Sequence, residues 1–247
     1  MKLALVTGGM RRLGAVIAER LARDGYQLAL ASHVAGPPDA GLLAALEKYS
    51  VGWHPFVADL GNSDAPAGLI DEVAAHFGML PDLLVNNAAL FGQDDWTAMT
   101  ADTLAAHFQL NMFAPLLLSQ ALVSRAEKQV SIVHITDQRI VNPPRDQISY
   151  TLSKQALAAS VRTMATAFGK AARVNAVAPG LVIETDEYEP GQMAQIAEMM
   201  PLGALSDPAA VADAVAFLAS AMHVTGQILF VDGGANLKSF DRDFLHL

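Results

Sequence analysis

Apolar runs of about five residues, rich in Val, Ile and Leu, alternate along the chain with longer stretches whose apolar positions recur at helical spacing. Unbroken apolar runs of that length suit strands buried on both faces, as in a parallel sheet covered by crossover helices. The pattern predicts strands at Lys2 to Thr7, Gln27 to Ala31, Gly52 to Val57, Asp82 to Asn86, Val130 to Ile135, Ala172 to Ala176 and Ile228 to Val231. Seven strands suit one doubly wound α/β sheet with helices on both faces, a single domain over residues 1–247. Between the first two strands, Leu13, Ile17 and Leu21 share one helical face, and the helix stops at Gly25, which takes a left-handed cap at little cost. Asp207 followed by Pro208 marks a helix start: the carboxylate caps free N–H groups, and proline at the first helical position loses no bond it needed. That helix runs to about Ser220. Val34 to Asp39, with Gly36-Pro37-Pro38, and Gln138 to Ser149, with Pro143-Pro144, read as loops.

Composition narrows the function. Among 247 residues, 16 Lys+Arg face 25 Asp+Glu, a formal charge of −9. Binding to a phosphate backbone draws on clustered Lys and Arg, so nucleic acid is not an expected partner. Hydrophobic residues make up 52% and charged ones 17%, which excludes disorder and predicts apolar surface hidden in a sheet or between subunits, hence a homo-oligomer. The absence of cysteine removes disulfides, thiolate zinc sites and cysteine nucleophiles, and fits a reducing compartment, so a cytoplasmic location is expected. Residues 1–7 run straight into a glycine turn with no apolar stretch long enough for a signal peptide or membrane helix, so no membrane partner is expected. The 7 histidines are scattered and no His/Asp/Glu group has metal-ligand spacing, so no metal site is expected.

Thr7-Gly8-Gly9-Met10-Arg11-Arg12-Leu13-Gly14 joins the first strand to the first helix. Unpaired N–H groups and the positive end of a helix dipole favour a pyrophosphate there, as in a Rossmann-type dinucleotide site. A glycine-rich strand-to-helix turn alone is a weak signal, because glycine also serves tight turns. At the end of the second strand, where NAD sites place an Asp or Glu on the ribose, this chain has Ser32-His33-Val34. No carboxylate there repels a 2′-phosphate, while Arg11 and Arg12 offer charge-assisted donors, which points to NADPH/NADP+. Ordinary solvated charge is the alternative reading of both arginines.

Tyr150 and Lys154, at i and i+4 in a helical segment from Tyr150 to Phe168, share one face. A nearby cation favours tyrosinate and pulls a phenol from about 10 toward neutrality, where general acid–base work is efficient. The spacing alone recurs on many helices. In context, Thr7-Gly8, Leu13-Gly14, Asp59-Leu60, Asn86-Asn87-Ala88, Asn111, Tyr150 with Lys154, and Pro179-Gly180 follow the order and approximate spacing of the short-chain dehydrogenase/reductase family, which nearly the whole chain resembles. The resemblance implies Tyr150 as proton donor, Asn111 sustaining a water relay to Lys154, and Lys154 binding the nicotinamide ribose. It implies Asp59 at the adenine, the Asn87-Ala88 backbone beside the cofactor, and Pro179-Gly180 beside the nicotinamide. Gly8, Leu13, Gly14, Ser32, His33 and Leu60 complete the expected cofactor contacts.

Two departures are informative. The usual family glycine before Leu13 is Arg12, and the usual serine before the tyrosine is Asp137. Both resemble the pteridine reductase branch, and Phe91 matches the aromatic position on which that branch stacks a pterin. A serine hydroxyl donates to a developing oxyanion, whereas a carboxylate repels it. A pterin C=N bond instead takes hydride at carbon and needs a proton at nitrogen, which an Asp137–Tyr150 pair can supply or relay. Asp137 capping the next loop and Phe91 as plain core are the competing readings. The expected activity is NADPH-dependent reduction of a small pterin-like molecule, with Phe91, Asp137 and Tyr150 on the substrate. A ketone-reducing carbonyl reductase and a non-catalytic NADP-sensing protein are the alternatives, and the resemblance implies a tetramer. Residues 182–204 resemble a substrate lid, in which Glu184, Asp186, Glu187 and Glu189 form an acidic cluster and either select a polar or amino-bearing substrate or are simply solvated. Arg145 is a weaker candidate for substrate contact. The tail Leu237 to Leu247, with Phe240 and Phe244 four apart, packs on a neighbouring subunit or on the substrate mouth.

Overall fold

The computed structural model describes residues 2–183 and 187–246. Seven strands, β1 (Lys2–Thr7), β2 (Tyr26–Ser32), β3 (Trp53–Val57), β4 (Leu83–Asn86), β5 (Val130–Ile135), β6 (Ala172–Pro179) and β7 (Ile228–Val231), form one sheet in the order β3-β2-β1-β4-β5-β6-β7. Every pairing is parallel. Strand side chains alternate between faces. Ala4 and Val6 accordingly join a core against α1 (Arg12–Arg23), α2 (Ala40–Tyr49) and α8 (Pro208–Ser220), while Leu3 and Leu5 join a second against α3 (Ala65–Phe77), α5 (Ala114–Arg125) and α6 (Ile148–Phe168). The doubly covered sheet is why these strands read as apolar runs rather than alternating ones.

The predicted strands are present with small shifts of boundary. β6 runs on to Pro179 instead of ending at Ala176, because its last residues pair on both sides: Val177 with Ile135 of β5, and Pro179 with Val231 of β7. Gly25 takes φ +80° after α1, and the Asp207 side chain accepts from the Ala209 N–H at 2.9 Å with Pro208 behind it, as the sequence predicts. Val34 to Asp39 has no regular structure, and the Gln138 to Ser149 loop contains a short 3-10 turn, Gln138–Ile140, with α6 starting at Ile148. The chain also forms α4 (Ala101–Phe108), joined to α5 through a widened π-helical turn at Gln109–Phe113, and α7 (Gln192–Met199). Among the described residues no helix is long and apolar enough to cross a membrane.

Connections leave β1 toward β2 and β4 toward β5, so the strand order reverses between neighbours β1 and β4 and a crevice opens at their carboxyl ends. Gly14 makes the turn at that crevice possible. A Cβ there would land on the Gly8 carbonyl oxygen and lie 2.8 Å from Asn87 Nδ2, whereas a Cβ on Gly41 in α2 meets nothing within 4 Å. The same substitution therefore has opposite signs at two helical glycines. Gly41→Ala raises stability by about 0.4–1 kcal/mol through reduced freedom of the unfolded chain, and Gly14→Ala lowers the melting temperature and weakens dinucleotide binding at least ~10-fold through overpacking of a turn that cannot widen. Thermal melts and cofactor titrations of the two variants check this.

Candidate active site

The crevice is a cleft of about 1320 Å³, larger than the usual pocket for one small ligand. Gly8, Arg11, Arg12, Leu13 and Gly14 line one end. Ser32 and His33 after β2, Asp59 and Leu60 after β3, Asn87 and Ala88 after β4, and Gly180 after β6 line its middle. Pro179 does not; it is the buried last residue of β6. The Thr7 hydroxyl accepts the Asn87 and Ala88 N–H groups, each at 3.0 Å, and Asn87 Nδ2 donates to the Thr7 carbonyl at 2.9 Å. Gly8, at φ +63°, passes so close that a Cβ would stand 2.9 Å from Asn87 Nδ2. The turn thus packs directly on the Asn87-Ala88 backbone with no room for a Cβ, and it lines the cleft beside the first turn of α1.

Arg12 adopts φ +52°, a left-handed conformation that suits glycine and costs another residue about 1–3 kcal/mol. Its N–H is held by Asp39 Oδ2 at 2.8 Å, and the Asp39 N–H by the Met10 carbonyl at 2.9 Å, so the loop after β2 clamps the turn. Arg11 Nη2 lies across that loop, 3.0 Å from where a Cβ on Gly36 would stand. Neither arginine forms an ion pair among the described residues. His33 Nδ1 approaches Asp59 Oδ1 at 3.5 Å, both side chains being largely exposed.

At the other end, Tyr150 and Lys154 project from one face of α6, both buried. The Tyr150 hydroxyl donates to Asp137 Oδ2 at 2.9 Å, and its ring meets Phe91 edge-on, 4.9 Å between centroids. Lys154 Nζ donates to the Ile135 carbonyl at 2.8 Å, at the end of β5, and stands 5.8 Å from the Tyr150 ring centroid. Phe91 and Asp137 line the cleft and Phe91 is 46% exposed, whereas Tyr150 and Lys154 are absent from the lining and sit against the wall those two residues help to form. Burial pushes the Tyr150 phenol well above its usual value, the Asp137 charge adds to this, and Arg139 opposes it. The expected fall toward neutrality is therefore corrected: desolvation and a bonded carboxylate outweigh the Arg139 cation, and the phenol keeps its proton. Burial also pushes the Lys154 ammonium down to about 8, partly offset by Asp137.

Asn111 sits in the widened Gln109–Phe113 turn, fully buried. Its side chain does not reach Lys154. Oδ1 accepts the Leu90 N–H at 2.7 Å, and Nδ2 donates to the Leu90 carbonyl at 2.9 Å and to Ser153 Oγ at 3.0 Å. Ser153 Oγ in turn donates to the Tyr150 carbonyl. The amide therefore staples the loop carrying Phe91 to the helix carrying Tyr150.

Sequence reading missed Arg139 and Asp243. Arg139, 5% exposed, donates from its backbone N–H and Nε to Asp137 Oδ1 at 2.9 and 3.0 Å, from Nη2 to Asp243 Oδ2 at 2.8 Å, and from Nη1 to Gln147 Oε1. A local signal existed in the Asp137-Gln138-Arg139 spacing, since an Asp side chain readily accepts from the N–H two residues on. Nothing local marked Asp243. The tail folds back on its own chain at the cleft mouth: Phe240 and Phe244 pack edge-on at 5.0 Å, and Asp243, Phe244 and Leu245 join the lining with Tyr188. Arg145 is not in the lining; it turns to solvent and pairs with Asp241 at 3.0 Å. Of the acidic cluster, Glu187 and Glu189 are exposed, and Glu184 and Asp186 lie outside the described residues.

Comparison with known proteins agrees with this geometry. A family model described as enoyl-(acyl carrier protein) reductase matches residues 9–236. The 3-oxoacyl-[acyl-carrier-protein] reductase of Staphylococcus epidermidis is 30% identical over 251 residues, covering 94% of this chain and 98% of the relative. Dihydromonapterin reductase of Citrobacter koseri is 28% identical, covering 95% and 96%. Among solved structures, FolM alternative dihydrofolate reductase 1 from Brucella canis, complexed with NADP, aligns with a TM-score of 0.83 at 28% identity over 96% of this chain and 95% of that one. A match of this extent, over a seven-stranded sheet with the crevice between β1 and β4, shows that the chain belongs to the short-chain dehydrogenase/reductase family of oxidoreductases.

Proposed function

We propose that this chain is an NADPH-dependent reductase of a C=N bond in a pterin, of the dihydropterin, biopterin or dihydrofolate-like kind. The observation that carries the reading is Asp137 at the cleft wall, its Oδ1 held by Arg139 and its Oδ2 holding the Tyr150 hydroxyl. A carbonyl reductase needs a donor where an oxyanion develops; here the group facing the cleft is an acceptor. Phe91 adds an open aromatic face, the surface on which a flat heterocycle stacks. Dihydromonapterin reductase and FolM among the relatives support the same substrate class. Ketone reduction is the second reading, supported by the 3-oxoacyl reductase relative at 30% identity.

The residues present fit the cofactor. The glycine turn at Gly8 and Gly14, at the N-terminus of α1, suits a pyrophosphate, and the Arg11 and Arg12 guanidinium groups, in no ion pair among the described residues, offer charge to a 2′-phosphate. NADPH, when bound, supplies the hydride. The chain supplies the rest: Phe91 orients the ring, Asp137 accepts hydrogen bonds from amino-substituted atoms, and the Tyr150–Asp137 pair delivers a proton to the nitrogen. Carbon gains hydride, nitrogen gains the proton, and the double bond becomes single. A phenol of raised pKa is a weak acid, yet the nitrogen left bearing the charge is a stronger base, so the donor needs to be loaded more than it needs to be acidic. Lys154 holds positive charge beside the phenolate left behind. Exposed Phe113 at the end of the widened turn, Leu117 on α5 and Phe217 on α8 support a homo-oligomer, proposed as a tetramer.

The test is NADPH oxidation with a panel of dihydropterins, dihydrofolate and ketones. Pterin turnover is expected, falling ~100-fold or more in Tyr150→Phe and falling in Asp137→Ser while any ketone turnover rises; turnover of ketones alone would overturn the reading. NADPH is expected to bind better than NADH, with Arg11→Gln and Arg12→Gln each weakening NADPH about 10-fold and leaving NADH unchanged, as loss of one charge-assisted bond dictates. Lys154 loses its proton as pH rises through about 8, so kcat/KM for NADPH, which reports the free enzyme, is expected to fall above that pH. A profile flat to pH ~10, the ordinary lysine range, would contradict it.

A further inference from the structure

We infer that Arg139 is a positioning residue for proton delivery, its guanidinium joining Asp137 to Asp243 so that the folded-back C-terminal segment completes the active site. The inference rests on the Tyr150–Asp137 pair proposed above. Arg139 reaches each part of the inner wall. It donates twice to Asp137 Oδ1, leaving Oδ2 for the Tyr150 hydroxyl. Its guanidinium carbon stands 5.1 Å from the Tyr150 ring centroid and 5.8 Å from that of Phe91, within cation–π range of both rings. Its Nη2 holds Asp243, which is 4% exposed.

The tail has its own supports around that contact. The Asp243 N–H donates to Asp146 Oδ1 at 2.9 Å, Asp243 Oδ1 accepts the Leu245 N–H at 3.0 Å, and Gln192 Nε2 donates to the Phe244 carbonyl at 3.0 Å. Phe244 is buried among Ile196, Met200 and Ala235. These contacts seat residues 243–245 at the cleft mouth, and the arginine ties that seat to the proton donor. Removing either carboxylate leaves Arg139 and Lys154 facing a single anion, one buried positive charge in excess, so the two ends depend on each other. Asp137 positioning and tail closure are therefore one property, set by one side chain.

The experiment uses the full chain with NADPH and whichever substrate the wild type turns over, so a ketone-only enzyme would sink the pterin reading without deciding the role of Arg139. Arg139→Met is expected to lower kcat at least 10-fold, with the NADPH dissociation constant changed less than 2-fold. The alkaline limb of its kcat/KM profile should move to higher pH. Lys154, which faces Asp137, Arg139, Tyr150 and His134, loses a neighbouring cation in this variant. Arg139→Lys, which keeps the charge and loses the fork, should recover part of kcat and the original limb. Asp243→Asn should raise substrate KM and speed amide exchange over residues 241–246. If Arg139→Met fails to fold, Arg139→Lys and Asp243→Asn carry the same readouts. Variants whose melting temperature falls while kcat, KM and the pH profile stay at wild-type values would reduce Arg139 to a structural ion pair and overturn the inference.

Discussion

The Thr7 hydroxyl, at the end of β1, holds together the two halves of the sheet where their connections diverge. It accepts two backbone N–H groups from Asn87 and Ala88, and Asn87 returns a bond to the Thr7 carbonyl. Parallel strands leave their terminal carbonyl and N–H groups to be satisfied by whatever follows, and at a reversal of strand order no crossover helix covers them. Spending side-chain bonds there keeps β1 and β4 in register while the Gly8 turn passes close above. The turn fits there because its glycines carry no Cβ, and the distance from it to Tyr150 is then set by rigid strands.

A second constraint is electrical. The inner end of the cleft sets the half-buried Asp137 and the buried Asp243 beside the buried cations Arg139 and Lys154, a balanced set in which each charge has partners of the opposite sign or a carbonyl. Unpaired, any one of them would incur a desolvation cost of several kcal/mol. Balance lets Tyr150 remain a neutral phenol next to a carboxylate without driving the carboxylate away. It also means the charge state of the site belongs to the cluster, because a change at one member alters the field at the rest.

Much of the fold was legible because strands buried on both faces advertise themselves as apolar runs, and because Gly25 and Asp207-Pro208 carry their own stop and start chemistry. The motifs sit at the carboxyl ends of strands, where backbone geometry sets their spacing, and Gly8, Arg11, Gly14, Asp59, Asn87 and Gly180 accordingly line one cleft. Three features were not legible for one reason, that they arise between distant segments. Asp243 contacts Arg139 across 104 positions. Asn111 bonds the Leu90 backbone across 21 positions from inside a widened turn, and periodicity announces neither the turn nor the contact. The Tyr150 phenol moves upward because burial and the Asp137 charge, both properties of the assembled fold, outweigh the Arg139 cation.

The aspartate in the serine position gains meaning from these long-range contacts. A serine at 137 would still leave a hydroxyl near Tyr150, but Arg139 would then be buried with Asp243 as its only carboxylate, and two cations would face one anion around the phenol. Such a field favours tyrosinate and a developing oxyanion, the conditions for reducing a carbonyl. The aspartate reverses both preferences at once: it restores the charge balance, keeps the phenol protonated, and turns an acceptor toward the cleft. One substitution thus changes which atoms the site can stabilise, and it does so only because a residue three positions from the end of the described chain returns to share the same arginine.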